Sequence, residues 1–187
     1  MAVQPAEKLY TVDDYLAMPD EYPRYELLEG ELIERVSPTS RHQRISRQLF
    51  TALNTHCAAH DLGEVFYAPL DVILSRTVVV QPDLLFISKA RRAELIGERI
   101  TGAPDLVIEI LSPATSARDF NQKRKLYARH GVKEYWIVDP APRDGTIEVQ
   151  RLQGNVFSTL GLFEKGQTLT ASTFEGLAVD LGQVFAE

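Results

Sequence analysis

The chain holds a single cysteine, Cys57, so it cannot form an internal disulfide, and a reducing cytoplasm is the expected compartment. No stretch approaches the ~18 consecutive apolar residues that a membrane-spanning helix needs. The first residues, Met-Ala-Val-Gln-Pro-Ala-Glu-Lys, lack the apolar region of a secretory signal. No glycine-rich phosphate loop, serine elbow or Cys/His spacing for zinc is present. Repeats, low-complexity segments and Gly/Ser-rich linkers are missing too, so nothing divides the chain into several domains. A net charge of −6 argues against strong nonspecific attraction to nucleic acid.

What remains is an ordinary globular composition: 187 residues, 44% hydrophobic and 25% charged, enough for one domain with a real core. Three stretches organise it. Residues 1–36 read as a short helix over 9–18, capped by Thr11, followed by a hairpin from Tyr25 to Val36 that turns near Gly30. Residues 37–140 begin with Ser-Pro-Thr-Ser, a strand stop and helix cap. The helix from Arg41 to His60 buries Ile45, Leu49, Leu53 and Cys57, which recur every fourth position. Val65–Leu74, Val78–Ile87 and Asp105–Leu111 read as strands, the last two apolar on both faces and therefore central in a covered sheet. Ser112-Pro113 ends the third, a helix runs on to His130 before Gly131, and Glu134–Asp139 is a further strand. Residues 141–187 carry a hairpin, Thr146–Leu152 with Val156–Leu162, and a tail with apolar Leu177, Leu181, Val184 and Phe185. The expected class is mixed α/β (α+β), a central mixed sheet flanked by helices, with extra N- and C-terminal hairpins.

Charge is unevenly placed. Residues 1–34 set Lys8 and Arg24 against nine acids, whereas residues 112–133 set six bases against Asp119 alone. That basic helix is either a phosphate-facing surface or a solvated face. Arg41, Arg44 and Arg47 oppose the dipole at the start of their helix, so they need a nearby acid or an anionic ligand.

Two acids occupy strand-like stretches that are otherwise apolar: Asp83, after Pro82, and Glu109, flanked by Ile108 and Ile110. A buried carboxylate is costly unless it is paired or holds a cation. Mg2+ needs only one or two carboxylates beside phosphate and water, and Asp83 with Glu109 meets that number. A turn aspartate and a buried salt bridge are the plain alternatives. At about 100° per residue, Ser116, Phe120, Lys123, Tyr127 and His130 share one helical arc, opposite Arg118, Gln122, Lys125 and Arg129. Lys123 thus points inward, toward a cleft carboxylate or a phosphate, unless it pairs with Asp119 one turn back. His42, Gln43 and Asp71 are weaker candidates, and Glu26, Glu29 and Glu31 near the hairpin turn read as solvated.

The order of segments adds a resemblance. Tyr25-Glu-Leu-Leu-Glu-Gly-Glu-Leu, Ser37-Pro with His42-Gln43, Gln81-Pro-Asp83, Gly102 through Pro113, Asp119-x3-Lys123-x3-Tyr127 and Gly131 through Pro140 follow one another as in the Uma-two family of restriction endonucleases, which the chain resembles over nearly its whole length. The resemblance implies a PD-(D/E)XK nuclease fold with an αβββαβ core, catalytic residues between 37 and 140, and Mg2+-dependent cleavage of DNA. It assigns Asp83 and Glu109 to the metal, with the Ile110 carbonyl beside them. The superfamily's strand lysine is replaced here by Leu111, and Lys123 takes its place from the following helix. His42, Gln43, Glu26 and Tyr127 become substrate-contact candidates. Duplex DNA as partner, a homodimer, and Mn2+ as a substitute for Mg2+ complete the expectation. The rivals are a catalytically weak or inactive nuclease-fold module that binds DNA or protein, and an enzyme for a small phosphodiester.

Overall fold

A computed structural model describes residues 8–19, 23–112, 116–141, 143–170 and 174–186, with backbone alone for 116–120. The N-terminal part comprises α1 (Val12–Leu16), β1 (Tyr25–Leu28) and β2 (Glu31–Glu34). Next come α2 (Ser40–Ala59), β3 (Gly63–Tyr67), β4 (Val72–Ser75), β5 (Val78–Val80), β6 (Leu84–Ser88), the short α3 (Arg92–Leu95) and β7 (Ile100–Thr101). Then follow β8 (Leu106–Ile110), α4 (Ser116–His130), β9 (Glu134–Asp139), β10 (Thr146–Gln153), β11 (Val156–Glu164), β12 (Thr168–Leu169), β13 (Val179–Asp180) and α5 (Leu181–Val184).

Local chemistry sets several boundaries. Thr11 caps α1 reciprocally with Asp14, and Thr39 accepts from the His42 N–H to start α2. Gly131 takes φ +87 beyond α4, where a side chain would be strained. Two prolines break strands that read as continuous in the sequence. Val65–Leu74 divides at Ala68–Pro69 into β3 and β4, and Val78–Ile87 divides at Gln81-Pro82-Asp83 into β5 and β6. Proline has no N–H for a ladder, so the chain leaves one sheet there and joins another. Pro113 lies outside the described residues.

The larger sheet has the order β11-β10-β9-β8-β6-β3, antiparallel throughout except for the parallel β8–β9 pair that α4 connects. Taken in chain order, α2, β3, β6, β8, α4 and β9 form the expected αβββαβ core. The second sheet, β2-β1-β5-β4-β7, joins the N-terminal hairpin to the β4–β5 hairpin inserted between β3 and β6. On one face of the large sheet, Ile45, Leu49, Leu53 and Cys57 of α2 pack on Leu84, Phe86, Leu106, Ile108 and Ile110. On the other, Leu85, Ile87, Val107 and Ile137 meet Leu126 and Tyr127 of α4 and the small sheet's Leu28, Val78 and Val80. Leu177, Leu181, Val184 and Phe185 are buried in the first cluster, so the apolar tail is part of the core. No helix among the described residues is long and apolar enough to cross a membrane.

Candidate active site

The face of β8 opposite α2 carries Glu109, and it is there that the two sheets and α4 meet. Strand alternation puts Glu109 on the same side as Val107, facing the second cluster. The break at Pro82 turns Asp83 into the same region, and β1 delivers Glu26 from the small sheet. Helical periodicity points Lys123 and Tyr127 of α4 inward together, while Lys125 and Arg129 are exposed. Glu26, Asp83, Glu109 and Lys123 are only 4%, 5%, 9% and 6% exposed.

Their contacts form one network. Lys123 Nζ lies 3.1 Å from Glu109 Oε1 and 3.0 and 2.9 Å from the two Glu26 oxygens. The Tyr127 hydroxyl donates to Glu109 Oε1 at 2.6 Å. Asp83 Oδ2 accepts the Ile110 N–H at 2.8 Å and sits 3.1 Å from His42 Nε2. Because Ile110 follows Glu109, that bond makes the two strand carboxylates neighbours. Arg35, just beyond β2, spans Glu26 and Asp83 at 3.6 Å each and donates to the Gln81 carbonyl. The Gln81 N–H in turn donates to Glu26 at 2.7 Å.

Burial and charge act against each other here. Burial pushes the Glu109 carboxyl up and the Lys123 ammonium pulls it back; with Asp83 and Glu26 also nearby, it comes to about 7. Burial also raises Asp83, but the His42 contact, the Ile110 N–H and the Arg35 charge outweigh it and hold that carboxyl below its ordinary value. Desolvation opposes the charge on Lys123, yet Glu109 and Glu26 prevail and keep it protonated. Arg35 is raised against its own desolvation by Glu26, Glu109 and Asp83. The Tyr127 hydroxyl, buried beside Glu109, is raised well above its usual range and stays a donor.

The donor set suits a hard divalent cation. It is all oxygen, two carboxylates are adjacent, and burial together with the neighbouring acids raises the Glu109 carboxyl despite Lys123. Among the described residues, no three His, Cys, Asp or Glu side chains form a ready cage. Lys123 stands between Glu26 and Glu109, and Arg35 between Glu26 and Asp83. Mg2+ does not require a cage, since one or two carboxylates suffice with substrate and water.

The sequence candidates divide cleanly. Asp83, Glu109, Lys123, Tyr127 and His42 converge, and Ile110 joins through its N–H. Glu26, read as solvated, is instead buried and bonded to Lys123, because the hairpin packs across β5 and not out into water. Glu29 stays exposed, paired with Arg129 at 2.5 Å. Gln43 is exposed, and no side-chain bond links it to the cluster among the described residues. Asp71 belongs to a neighbouring network with Tyr15, Gln81 and Arg99. The alternative Asp119–Lys123 pair falls on a side chain outside the described residues. Arg41 donates to the Pro140 and Ala141 carbonyls at 2.7 and 3.1 Å and, among the described residues, pairs with no acid. Part of the basic helix is structural as well: Arg124 ties α4 to Gln150 and to the Phe157 carbonyl, each at 2.7 Å. Sequence reasoning overlooked Arg35 and Gln81. Gln81 meets the cluster through its main chain at the break between β5 and β6, and its side chain turns to Asp71, so no side-chain pattern could have found it. Arg35 gave no signal either, because its partners come from other elements.

Comparison with known proteins agrees with this architecture. The solved structure titled as a putative nuclease belonging to DUF820 from Anabaena variabilis superposes with a TM-score of 0.78 at 24% identity, covering 94% of this chain and 97% of that one. At that identity the likeness establishes the fold. A search of curated proteins finds no match. The model of the Uma2 family, described as "Putative restriction endonuclease", matches residues 12–182, and the chain therefore belongs to the Uma2 family of restriction-endonuclease-like proteins.

Proposed function

We propose that this nuclease-fold protein is a Mg2+-dependent endonuclease acting on duplex DNA, with Mn2+ as a working substitute. One observation carries the reading: a buried lysine from α4 stands 3.1 Å from Glu109, which neighbours Asp83, while the strand position two beyond Glu109 holds Leu111. Asp83 and Glu109 would hold the cation with the Ile110 carbonyl. Bound there, the cation supplies activation of water and neutralisation of charge on the scissile phosphate. Lys123 orients water or a phosphate oxygen. Tyr127 positions Glu109, His42 positions Asp83, and Arg35, the more exposed of the two cations, receives the phosphate. Glu26 positions Lys123 rather than contacting substrate.

Plasmid nicking tests this. Mg2+ or Mn2+ should support cutting that Asp83→Ala, Glu109→Ala and Lys123→Ala each abolish. Undiminished cutting by the Asp83 and Glu109 variants would mean that the site is elsewhere. A non-catalytic DNA- or protein-binding module is favoured by one feature, namely that Lys123 already occupies oxygens of both Glu26 and Glu109. Calorimetry separates the two readings, because a catalytic centre binds Mn2+ through Glu109.

A homodimer belongs to the same proposal, since cutting both strands of a duplex calls for two centres. β11 is an open edge of nine residues exposing Val156, Leu160 and Leu162, a surface suited to a second copy. Light scattering of the parent and of Leu162→Lys tests it; a monomeric parent removes the dimer from the proposal.

A further inference from the structure

Gln81 has two sets of partners. Its main chain serves the carboxylate cluster, donating to Glu26 and accepting from Arg35. Its side chain turns the other way, donating to Asp71 Oδ1 at 2.8 Å and to the Tyr15 hydroxyl at 3.2 Å. On that side lies a cavity of about 400 Å³, within the ~300–1,000 Å³ range of small-molecule sites. Gln81 is therefore the shared wall between the cavity and the proposed cleavage centre.

The lining indicates the kind of ligand. Tyr15, Tyr25, Leu16 and Pro69 supply aromatic and apolar surface, while Asp71, Gln81 and Arg99 supply polar groups. Among the described lining residues, the cations Arg24 and Arg99 are matched in number by Asp71 and Glu98, so their formal charge cancels. The polar wall is already organised: Asp71 is held by the Tyr15 hydroxyl at 2.9 Å, by Gln81 and by Arg99 at 3.3 Å. A preformed, neutral, partly aromatic pocket with hydrogen-bonding groups on one wall suits a flat heteroaromatic ring. Next to a phosphodiester-cleaving centre, that ring is a nucleobase.

We infer that this cavity is a nucleobase subsite, taking an unstacked base of the nucleotide beside the scissile phosphate while Arg35 meets the phosphate itself. The inference rests on the DNA-cleavage reading for the identity of the polymer. Its mechanism is that of other enzymes that extrude or splay a base, with aromatic side chains replacing the lost stacking.

Nucleosides test the pocket without involving metal or cleavage. Saturation-transfer NMR on the full chain in EDTA, with thymidine and deoxyadenosine as probes, should show binding by the parent. Leu16→Trp adds bulk to the lining at a residue that makes none of the polar wall's hydrogen bonds, so it should weaken binding at least ~10-fold. Met18→Trp, on the same rim, is the second variant if the first melts early. Deoxyribose 5-phosphate should not compete. Absence of nucleoside binding, binding that survives both tryptophan variants, or equal competition by deoxyribose 5-phosphate would each overturn the subsite. Mn2+ calorimetry on parent and Leu16→Trp is read separately. Loss of Mn2+ binding by the parent would count against the cleavage centre, whereas unchanged Mn2+ binding beside lost nucleoside binding isolates the pocket.

Discussion

Asp105 immediately precedes β8 and Glu109 lies near its far end, and their electrostatic settings are opposite. Asp105 accepts the Ser88 N–H at 2.8 Å, Arg91 at 3.1 Å and Lys133 at 2.6 Å, so one acid has two cations and a backbone donor. Burial raises its carboxyl, but those partners outweigh burial and hold it below the ordinary value. Burial, with a third carboxylate beside it, pushes Glu109 up to about 7, and the Lys123 it shares with Glu26 offsets this only in part. The sheet therefore has one end that is electrostatically finished and one that is short of positive charge. Buried acid alone does not mark a functional site. What marks it is acid in excess of the cations that serve it.

The comparison can be broken most forcefully at Lys123. Lys123→Met leaves Glu26 and Glu109 buried without their shared cation, and removing one partner of a buried pair costs about 3–5 kcal/mol. Urea unfolding at pH 8 should show a loss of that order. A change below about 1 kcal/mol would mean that the lysine does not hold the cluster.

Glu109→Gln acts in the other direction. A folded carboxyl near 7, against an ordinary value of 4.5, favours the protonated form, so the stability contribution of Glu109 is full below pH 4.5 and is lost as pH rises through 7. Glutamine mimics the protonated state. The variant should be more stable than the parent at pH 8, by on the order of 1–3 kcal/mol, and nearly equal to it at pH 5. Thermal melts at the two pH values decide this. The same variant should lose the rise in Tm that Mn2+ confers on the parent, about 2.7 kcal/mol of stabilisation at a hundredfold excess over Kd.

At the finished end, Asp105→Ala should cost about 2 kcal/mol at pH 7, because it strands a backbone N–H and two cations. Since the folded carboxyl is depressed, this contribution is present above its unfolded value and disappears as pH falls through the folded one. Acid thus removes stability at this end and restores it at the other. Calorimetric Mn2+ binding should be unchanged by Asp105→Ala, and a weakened affinity would join the two ends into one site. Lys133→Ala is the smallest case. Its side chain is 59% exposed, and the pair should be worth less than about 1 kcal/mol and fade with added salt.

Much of this was legible one element at a time. The stripe Ile45, Leu49, Leu53, Cys57 located α2, the arc through Lys123 and Tyr127 turned the lysine inward, and unbroken apolar flanks made Glu109 conspicuous. Each is a periodicity, readable because helix and strand repeat every 3.6 and 2 residues. Glu26 failed the same test. Four residues of hairpin beside a glycine turn look alike whether they face water or a second sheet, and only the pairing of Leu27 with Val79 decided which. Arg35 and the cavity behind Gln81 escaped for the same reason.

The sequence by itself determined the class of fold, the order of the core elements, and an inward lysine following two strand carboxylates. Those features depend on local propensity and burial pattern, which a chain carries wherever it folds. The tertiary structure decided that Glu26 and Arg35 complete the network, that Asp105 meets two cations while Glu109 shares one with Glu26, and that Pro69 and Pro82 send the chain between two sheets. Charge balance at a site is a sum over residues far apart in sequence, and it has no value until the fold brings them within a few ångströms of one another.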